Sequence, residues 1–271
     1  MLTQRLVVTI ILLPLGVFVI HVGGWVFAGT VAVILVLAAW EFGGLFRVDG
    51  YQPATGLILA GTLALVLGRA MDNFGSAPWI LVMFLLAGMI YHLIQYERGR
   101  DKAGTDLSIT LAGAIYVGWL GAYLVSLRGL PEGKWWLLVV LPAVWLADSG
   151  AFFIGRTFGR NRLAPRLSPK KTWEGYLGGI ITGSLGAALL AALWRIGAGD
   201  QSALAPGSGA FIGFVLGVIT SLGDLGESMI KRQVGVKDSG SLLPGHGGMF
   251  DRIDSWLWAA PIGYYVILLL S

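Results

Sequence analysis

The chain has 271 residues and a net charge of +4; 56% of its residues are hydrophobic and only 13% are charged. Soluble domains carry about 25% charged residues, so the composition excludes an ordinary soluble protein and predicts an all-α polytopic membrane protein. Because the chain has no Cys, disulfides, thiol nucleophiles and cysteine metal sites are excluded. We expect no nucleic-acid partner.

Nine apolar runs are candidate transmembrane helices. In chain order they are Leu6–His21, Trp25–Ala39, Thr55–Leu67, Pro78–Leu93, Leu107–Leu127, Trp135–Ile154, Trp173–Trp194, Gly209–Ile230 and Ser255–Leu270. The first run follows a single Arg5 and could pass for a signal peptide. Since further runs follow it, we interpret it as a retained span.

The distribution of Lys and Arg predicts the orientation of these spans. Fifteen of the 19 basic residues fall on one side of the membrane, which holds the amino terminus and two strongly basic loops. The positive-inside rule assigns that side to the cytoplasm. An odd number of spans then puts the carboxyl terminus on the opposite face. We predict one integral membrane domain over residues 1–271, with amino-terminal spans in 1–130 and the chemistry-bearing spans and loops in 135–271.

The first candidate site residue is Asp148, which ends the apolar stretch Trp135–Ala147. A carboxylate at this depth is costly unless it faces a polar cavity, and such residues mark functional sites. Alternatively, Asp148 is a helix-end carboxylate that reaches the membrane interface. Both interpretations stay open at this point.

A basic loop follows between Gly155 and Gly175, with six cations and almost no acid. Its arginines could simply pair with anionic lipid headgroups. The stretch Ser168-Pro169-Lys170-Lys171-Thr172 is more specific, because paired lysines, flanking hydroxyls and a helix start resemble a phosphate cradle. Thr172 could instead be a plain helix N-cap. The candidate substrate contacts here are Ser168, Lys170, Lys171 and Thr172.

The eighth predicted span carries a polar face near its end. Asp224 and Glu227 are three residues apart and therefore share one side of a helix, together with Ser221 and Ser228. A polar contact between helices is the alternative. Two carboxylates at membrane depth repel each other unless a cation joins them, so the pattern favours a metal or substrate site.

The segment from Ser228 to Asp254 holds four basic and three acidic residues, although it lies between two apolar runs. Its glycines let backbone amides approach a ligand, and its cations can neutralise anions. Asp251 and Asp254, again three apart, are hard oxygen ligands suited to Mg²⁺. The candidate substrate contacts are Ser228, Lys231, Arg232, Lys237, His246, Gly247, Gly248 and Arg252.

This segment also resembles, position by position, the signature of the phosphatidate cytidylyltransferases (CDP-diacylglycerol synthases). The matching positions are Ser228, Lys231-Arg232, Lys237-Asp238, Gly240, Leu243-Pro244, His246-Gly247-Gly248, Asp251-Arg252 and Asp254. The upstream stretch DSGAFFIGRTFGRNRLAPRLSPKKTWEG resembles the second hallmark region of that family. The first five spans resemble the family only in their hydrophobic character.

The resemblance implies an enzyme of the cytoplasmic (inner) membrane that joins CTP to phosphatidic acid and releases pyrophosphate, with its active site facing the cytoplasm. It implies dependence on Mg²⁺, a second monovalent cation such as K⁺, and a homodimer. It also implies cation binding at Asp224 and Asp251. From the residues themselves, we expect Asp148, Glu227 and Asp254 either to be further ligands or to orient the cationic side chains. The catalytic candidates are Asp224, Asp251, Lys171 and Arg252.

A cation-coupled transporter of an anionic substrate is the alternative function, since intramembrane carboxylates and glycine-interrupted helices also mark transport. We find no inverted repeat in the sequence, and the charges crowd one face of the membrane rather than its midplane. These two features favour the enzyme.

Overall fold

The structure is a computed structural model that describes residues 2–199, 202–242 and 247–270. Helices make up most of these residues, as the apolar runs predict. Eight helical segments in the described part are long and apolar enough to cross a membrane. Helices dominate because hydrocarbon offers no hydrogen-bond partners, so each backbone group must find one inside its own segment.

The chain divides into two compact units. The first comprises Met1–Ser126 and Lys231–Ile253. Its helices are α1 (Leu2–Val22), α2 (Gly24–Val48), α3 (Thr55–Asp72), α4 (Ala77–Glu97) and α5 (Ala103–Gly113), followed by a π-helical segment (Ala114–Trp119). The π-helical segment continues into α6 (Leu120–Gly129), so that α5 and α6 form one membrane-length run. Leu35, Ile58 and Val117 are among the wholly buried side chains of this unit.

The second unit comprises Leu127–Ile230 and Asp254–Ser271. Its elements are α7 (Gly133–Phe158), β1 (Arg162–Ala164), β2 (Ser168–Thr172) and α8 (Trp173–Ala198). Most of α9 (Pro206–Gln233) and of α10 (Phe250–Leu270) also belongs to it, whereas Lys231 and Asp251 belong to the first unit.

The eight later apolar runs each correspond to a helix of membrane length, which confirms a polytopic helical protein. The first run, Leu6–His21, falls on α1. In α1 only Leu12–Val22 is described as an apolar segment, which is shorter than a full span. The count of nine spans therefore stays a prediction.

A short two-stranded antiparallel sheet in one loop adds to the all-helical architecture, which agrees with the prediction. In the basic loop, Arg162 pairs with Thr172 and Ala164 with Ser168. The loop holds Pro165 and Pro169, which lack backbone N–H groups and disfavour a helix. Pairing of the flanking residues gives the remaining backbone groups hydrogen-bond partners.

Glycines allow α7 and α8 to pack with their backbones close together. A Cβ added at Gly179 would lie 2.8 Å from the carbonyl oxygen of Ala147, and one at Gly183 would lie 3.0 Å from the Ala147 side chain. In lipid, helices associate through such small residues, because the surrounding tails supply no hydrophobic driving force. This contact positions Asp148, which lies in α7, and the hairpin, which connects α7 to α8.

Candidate active site

Three carboxylates form a cluster in the second unit. Carboxylate oxygens of Asp224, Glu227 and Asp254 all lie within 4.8 Å of one another. Asp224 and Glu227 share a face of α9, as their spacing predicts. Asp254 reaches them from α10 because Gly223 lets the helices approach: a Cβ there would lie 2.7 Å from the Trp258 ring. Glu227 is buried and the two aspartates are half-buried.

Lys171, at the end of the hairpin, adds a positive charge to this cluster. Its Nζ lies 2.5 Å from Oδ2 of Asp224. Both side chains keep partial contact with solvent, so the pair contributes little to stability and is open to exchange for another ion. Asp148 interacts electrostatically with Asp224, Asp254 and Lys171, which brings this candidate to the same cluster.

The donor atoms of the cluster fit a hard divalent cation. Carboxylate oxygens are the ligands that Mg²⁺ and Ca²⁺ prefer, and three of them converge here. Carboxylates this close repel one another unless a proton or a cation lies between them. The chemistry of the donor set therefore agrees with a magnesium site at Asp224, Glu227 and Asp254.

The predicted phosphate cradle is the second strand of the hairpin. Thr172 is buried and is the N-cap of α8, its Oγ accepting a hydrogen bond from the Gly175 N–H at 3.1 Å. That result agrees with the N-cap interpretation. Lys170 is exposed and Ser168 is half-buried, so both remain open to a ligand.

Glu174 holds the base of this hairpin. Its carboxylate accepts hydrogen bonds from the backbone N–H groups of Arg160 and Asn161 and from the side-chain amide of Asn161. An open groove of about 470 Å³ lies beside the turn of the hairpin, lined by Ala164, Pro165, Arg166, Leu167 and Met229.

In the first unit, Asp251 is enclosed by donors. Its Oδ1 accepts from Lys231 Nζ at 2.6 Å, and its Oδ2 accepts from the N–H groups of Ser239 and Gly248 at 2.9 and 2.8 Å. Charge-assisted bonds of this kind are among the stronger hydrogen bonds. In this conformation Asp251 and Lys231 join the end of α9 to the start of α10.

The other cationic side chains of residues 228–254, the signature segment, are more accessible to solvent. Arg232 donates to the backbone oxygen of Val236 at 3.1 Å, and its side chain is exposed. Lys237 and Arg252 are exposed as well. Ser228 is buried, and its Oγ lies at the long distance of 3.5 Å from Oδ1 of Asp224.

Glycine is required at two positions of the signature segment, for a different structural reason at each. Gly247 has a φ of 84°, a backbone conformation that other residues rarely adopt. Gly248 lies so close to Ser239 and Glu41 that it leaves no room for a side chain. His246 lies outside the described residues. The predicted joint ligation of one cation by Asp224 and Asp251 involves residues of the two different units and stays a prediction.

Sequence reasoning missed Glu41. This residue lies in α2, is only 4% exposed, and contacts the signature segment through its carboxylate. The available signal was an acid inside an apolar run, which is expensive in a membrane and marks a functional position.

A membrane protein with clustered carboxylates, a paired lysine and a cationic hairpin has the chemistry of an enzyme that handles phosphate groups. The model of the cytidylyltransferase family matches residues 3–270. The chain therefore belongs to the cytidylyltransferase family.

Curated relatives agree with this membership. The chain is 34% identical to a phosphatidate cytidylyltransferase of Synechocystis sp., over 99% of this chain and 97% of the relative. It is 36% identical to a phosphatidate cytidylyltransferase of Pseudomonas aeruginosa, over 97% of this chain and 95% of the relative. It is 32% identical to a protein of the same name from Mycobacterium tuberculosis, over 96% of this chain and 79% of the relative.

Proposed function

We propose that the chain transfers the cytidylyl group of CTP to phosphatidic acid, giving CDP-diacylglycerol and pyrophosphate. The observation that carries the proposal is the cluster of Asp224, Glu227 and Asp254 with Lys171, found in a member of the cytidylyltransferase family. The names of the full-length relatives support phosphatidate as the acceptor.

The reaction does not require a strong general base. An oxygen of the lipid phosphate forms a new bond to the α-phosphorus of CTP, while the bond from that phosphorus to the bridging oxygen breaks and pyrophosphate leaves with its electrons. A phosphate monoester is already an anionic nucleophile, so a covalent enzyme intermediate is unnecessary. Alignment of the two phosphates and neutralisation of their charge are the main tasks.

Cationic side chains of this chain would perform those tasks. Lys170 and Arg252 are exposed and free to approach the phosphates. The Lys171 side chain could leave Asp224 and bind a substrate oxygen instead. The full proposed set of substrate contacts is Ser168, Lys170, Lys171, Thr172, Ser228, Lys231, Arg232, Lys237, His246, Gly247, Gly248 and Arg252. Within it, Thr172 would act mainly by holding the start of α8, and Lys231 through its pair with Asp251.

We propose Mg²⁺ as the cofactor, held by Asp224, Glu227 and Asp254, with Asp148 close enough to add its charge. When bound, the cation would neutralise negative charge on the substrate phosphates. Asp251 is a further proposed ligand, and it would have to exchange its present donors to serve as one. A second, monovalent cation such as K⁺ is part of the proposal.

We also propose nine spans, a cytoplasmic amino terminus and an active site that faces the cytoplasm of the inner membrane. The excess of Lys and Arg on one side supports this orientation. It would give the site access to CTP from water and to phosphatidate from the inner leaflet. A homodimer is the proposed assembly.

The experiment that tests the function uses the purified full chain with CTP, phosphatidate and Mg²⁺. We expect equal amounts of pyrophosphate and CDP-diacylglycerol, both depending on phosphatidate. Reconstituted vesicles that take up an anionic substrate but form no CDP-lipid would favour the transporter instead.

A further inference from the structure

Glu41 is a buried carboxylate that the proposed chemistry does not use. It lies in α2, a membrane-length helix whose only other charged residue is Arg47. Its exposed fraction is 4%. Because an ionisable side chain in such a helix costs free energy, its presence indicates a functional role.

The carboxylate of Glu41 binds the signature segment at two points. Its Oε2 accepts a hydrogen bond from the backbone N–H of Phe250 at 2.8 Å and another from Oγ of Ser239 at 3.1 Å. Phe250 is the first residue of α10, so the negative charge meets the positive end of the helix dipole. Glu41 thus contacts residues 198 and 209 positions away in the sequence.

Two glycines of the segment allow this approach. A Cβ at Gly240 would lie 2.5 Å from Oε1 of Glu41, too close for a stable contact. A Cβ at Gly248 would overlap both Ser239 and Glu41. Glycine is therefore required at both positions to make room for the Glu41 carboxylate.

Aromatic packing reinforces the same contact. The wholly buried ring of Phe250 meets the edge of Phe42, the neighbour of Glu41, with ring centroids 5.7 Å apart. It also packs against Tyr116 at 6.2 Å. Such aromatic pairs stabilise a contact beyond their buried area. The start of α10 is consequently fixed to α2 by both polar and apolar contacts.

The other oxygen of Glu41 shows that stability alone is a poor explanation. Among the described residues, Oε1 is buried and has no hydrogen-bond partner. A half-satisfied buried carboxylate costs free energy, whereas an apolar side chain in its place would not. A residue that is unfavourable for folding and yet contacts the signature segment fits a role in the reaction.

We propose that Glu41 is a positioning residue, which rests on the proposed function. By holding Ser239 and Phe250, it keeps the Asp251–Lys231 pair and the neighbouring Lys237 and Arg252 in the arrangement that receives the triphosphate. Glu41 does not touch the reacting atoms. It acts through the segment that it anchors.

The first test measures anchoring without any turnover. Lys237 is exposed and lies two residues before Ser239, so trypsin can cut there when the segment opens locally. We expect Glu41→Gln to accelerate that cleavage about 10-fold in the purified full chain, followed by mass spectrometry, because weaker hydrogen bonds to the segment make its local opening easier. Glu97→Gln, the same change at an exposed position of α4, is the matched control and should leave the rate unchanged.

The second test measures the effect on the reaction. We expect Glu41→Gln to raise the KM for CTP about 10-fold, and Glu41→Asp, which keeps the charge, to recover part of that loss. A protein that is merely less well folded would lose rate at every CTP concentration with an unchanged KM. If Glu41→Gln does not insert, Ser239→Ala removes only one donor and should raise the KM in the same direction.

The results separate the two proposals. Unchanged cleavage and unchanged KM in both Glu41→Gln and Ser239→Ala would overturn the positioning role, even with a fully active wild type. A wild type without activity but with faster cleavage in Glu41→Gln would overturn the proposed function and leave the anchor intact. In a double-mutant cycle the two substitutions should be less than additive, because they break one contact.

Discussion

At the scale of single residues, charge balance is the central feature of the acidic cluster. Asp224, Glu227 and Asp254 lie close together, Asp148 interacts electrostatically with the two aspartates, and Lys171 provides one positive charge against them. The remaining negative charge favours a further cation. This balance is the physical argument for a metal site in a membrane protein, where uncompensated charge is especially costly.

Asp224→Asn should lower kcat at least about 100-fold, since the substitution removes charge from the cluster and a partner from Lys171. The same change at exposed Asp101 should leave kcat unchanged. Steady-state kinetics at saturating CTP with a titration of Mg²⁺ measures both. Near-normal kcat and an unchanged Mg²⁺ requirement in Asp224→Asn would remove this residue from the metal role.

Asp251→Asn should differ from Asp224→Asn because it should lower stability as well as activity. Its carboxylate and Lys231 have side chains that are only 6% and 11% exposed, so the substitution neutralises one member of a largely buried ion pair. We expect a loss of about 3 kcal/mol in stability as well as a loss of activity. Thermal unfolding in detergent checks this, and Asp224→Asn should unfold close to the wild-type temperature. An equally stable Asp251→Asn with no turnover would instead point to direct metal binding.

At the scale of elements, the contact between α7 and α8 depends on glycine. Gly179→Ala would put a Cβ against the backbone oxygen of Ala147, which cannot move without separating the helices. We expect a loss of about 1–3 kcal/mol, measured as a lower unfolding temperature. Gly104→Ala in α5 has open space around it and serves as the control, with equal or slightly higher stability. Equal unfolding temperatures for the two variants would contradict a close glycine contact.

Elements also show what the sequence predicts and where it stops. Spans such as α4 follow from hydropathy, and the pairing of Asp224 with Glu227 follows from helical spacing. The contact of Asp254 with that pair does not, because it depends on how α9 and α10 pack. The hairpin was missed because short polar strands carry no hydrophobic periodicity. The Glu41 contact joins residues too distant in the chain for any local pattern to reveal.

At the scale of the whole molecule, the number of spans decides where the two ends lie. Nine spans with a cytoplasmic amino terminus require the two ends on opposite faces, whereas eight would return them to one face. We expect a reporter at the amino terminus to be active in the cytoplasm and one at the carboxyl terminus to be active outside it. Both reporters active in the same compartment would show that the first apolar run does not cross.

The absence of Cys allows a second check of orientation. A single cysteine at exposed Asp101 should react with an impermeant reagent only from the cytoplasmic side. A cysteine at exposed Gly129 should react only from the opposite side. Labelling of both positions from one side would contradict the predicted topology. The orientation of the site would then have to be assigned anew.

The most direct test of the account follows the fate of each phosphate of CTP. Purified chain, phosphatidate and Mg²⁺ are incubated with CTP labelled at either the α- or the γ-phosphate, and the lipids are extracted. Cytidylyl transfer predicts that the α-label enters the lipid, while the γ-label leaves as pyrophosphate and Asp224→Asn abolishes both. Entry of the γ-label into lipid, or of neither label, would contradict the proposed reaction.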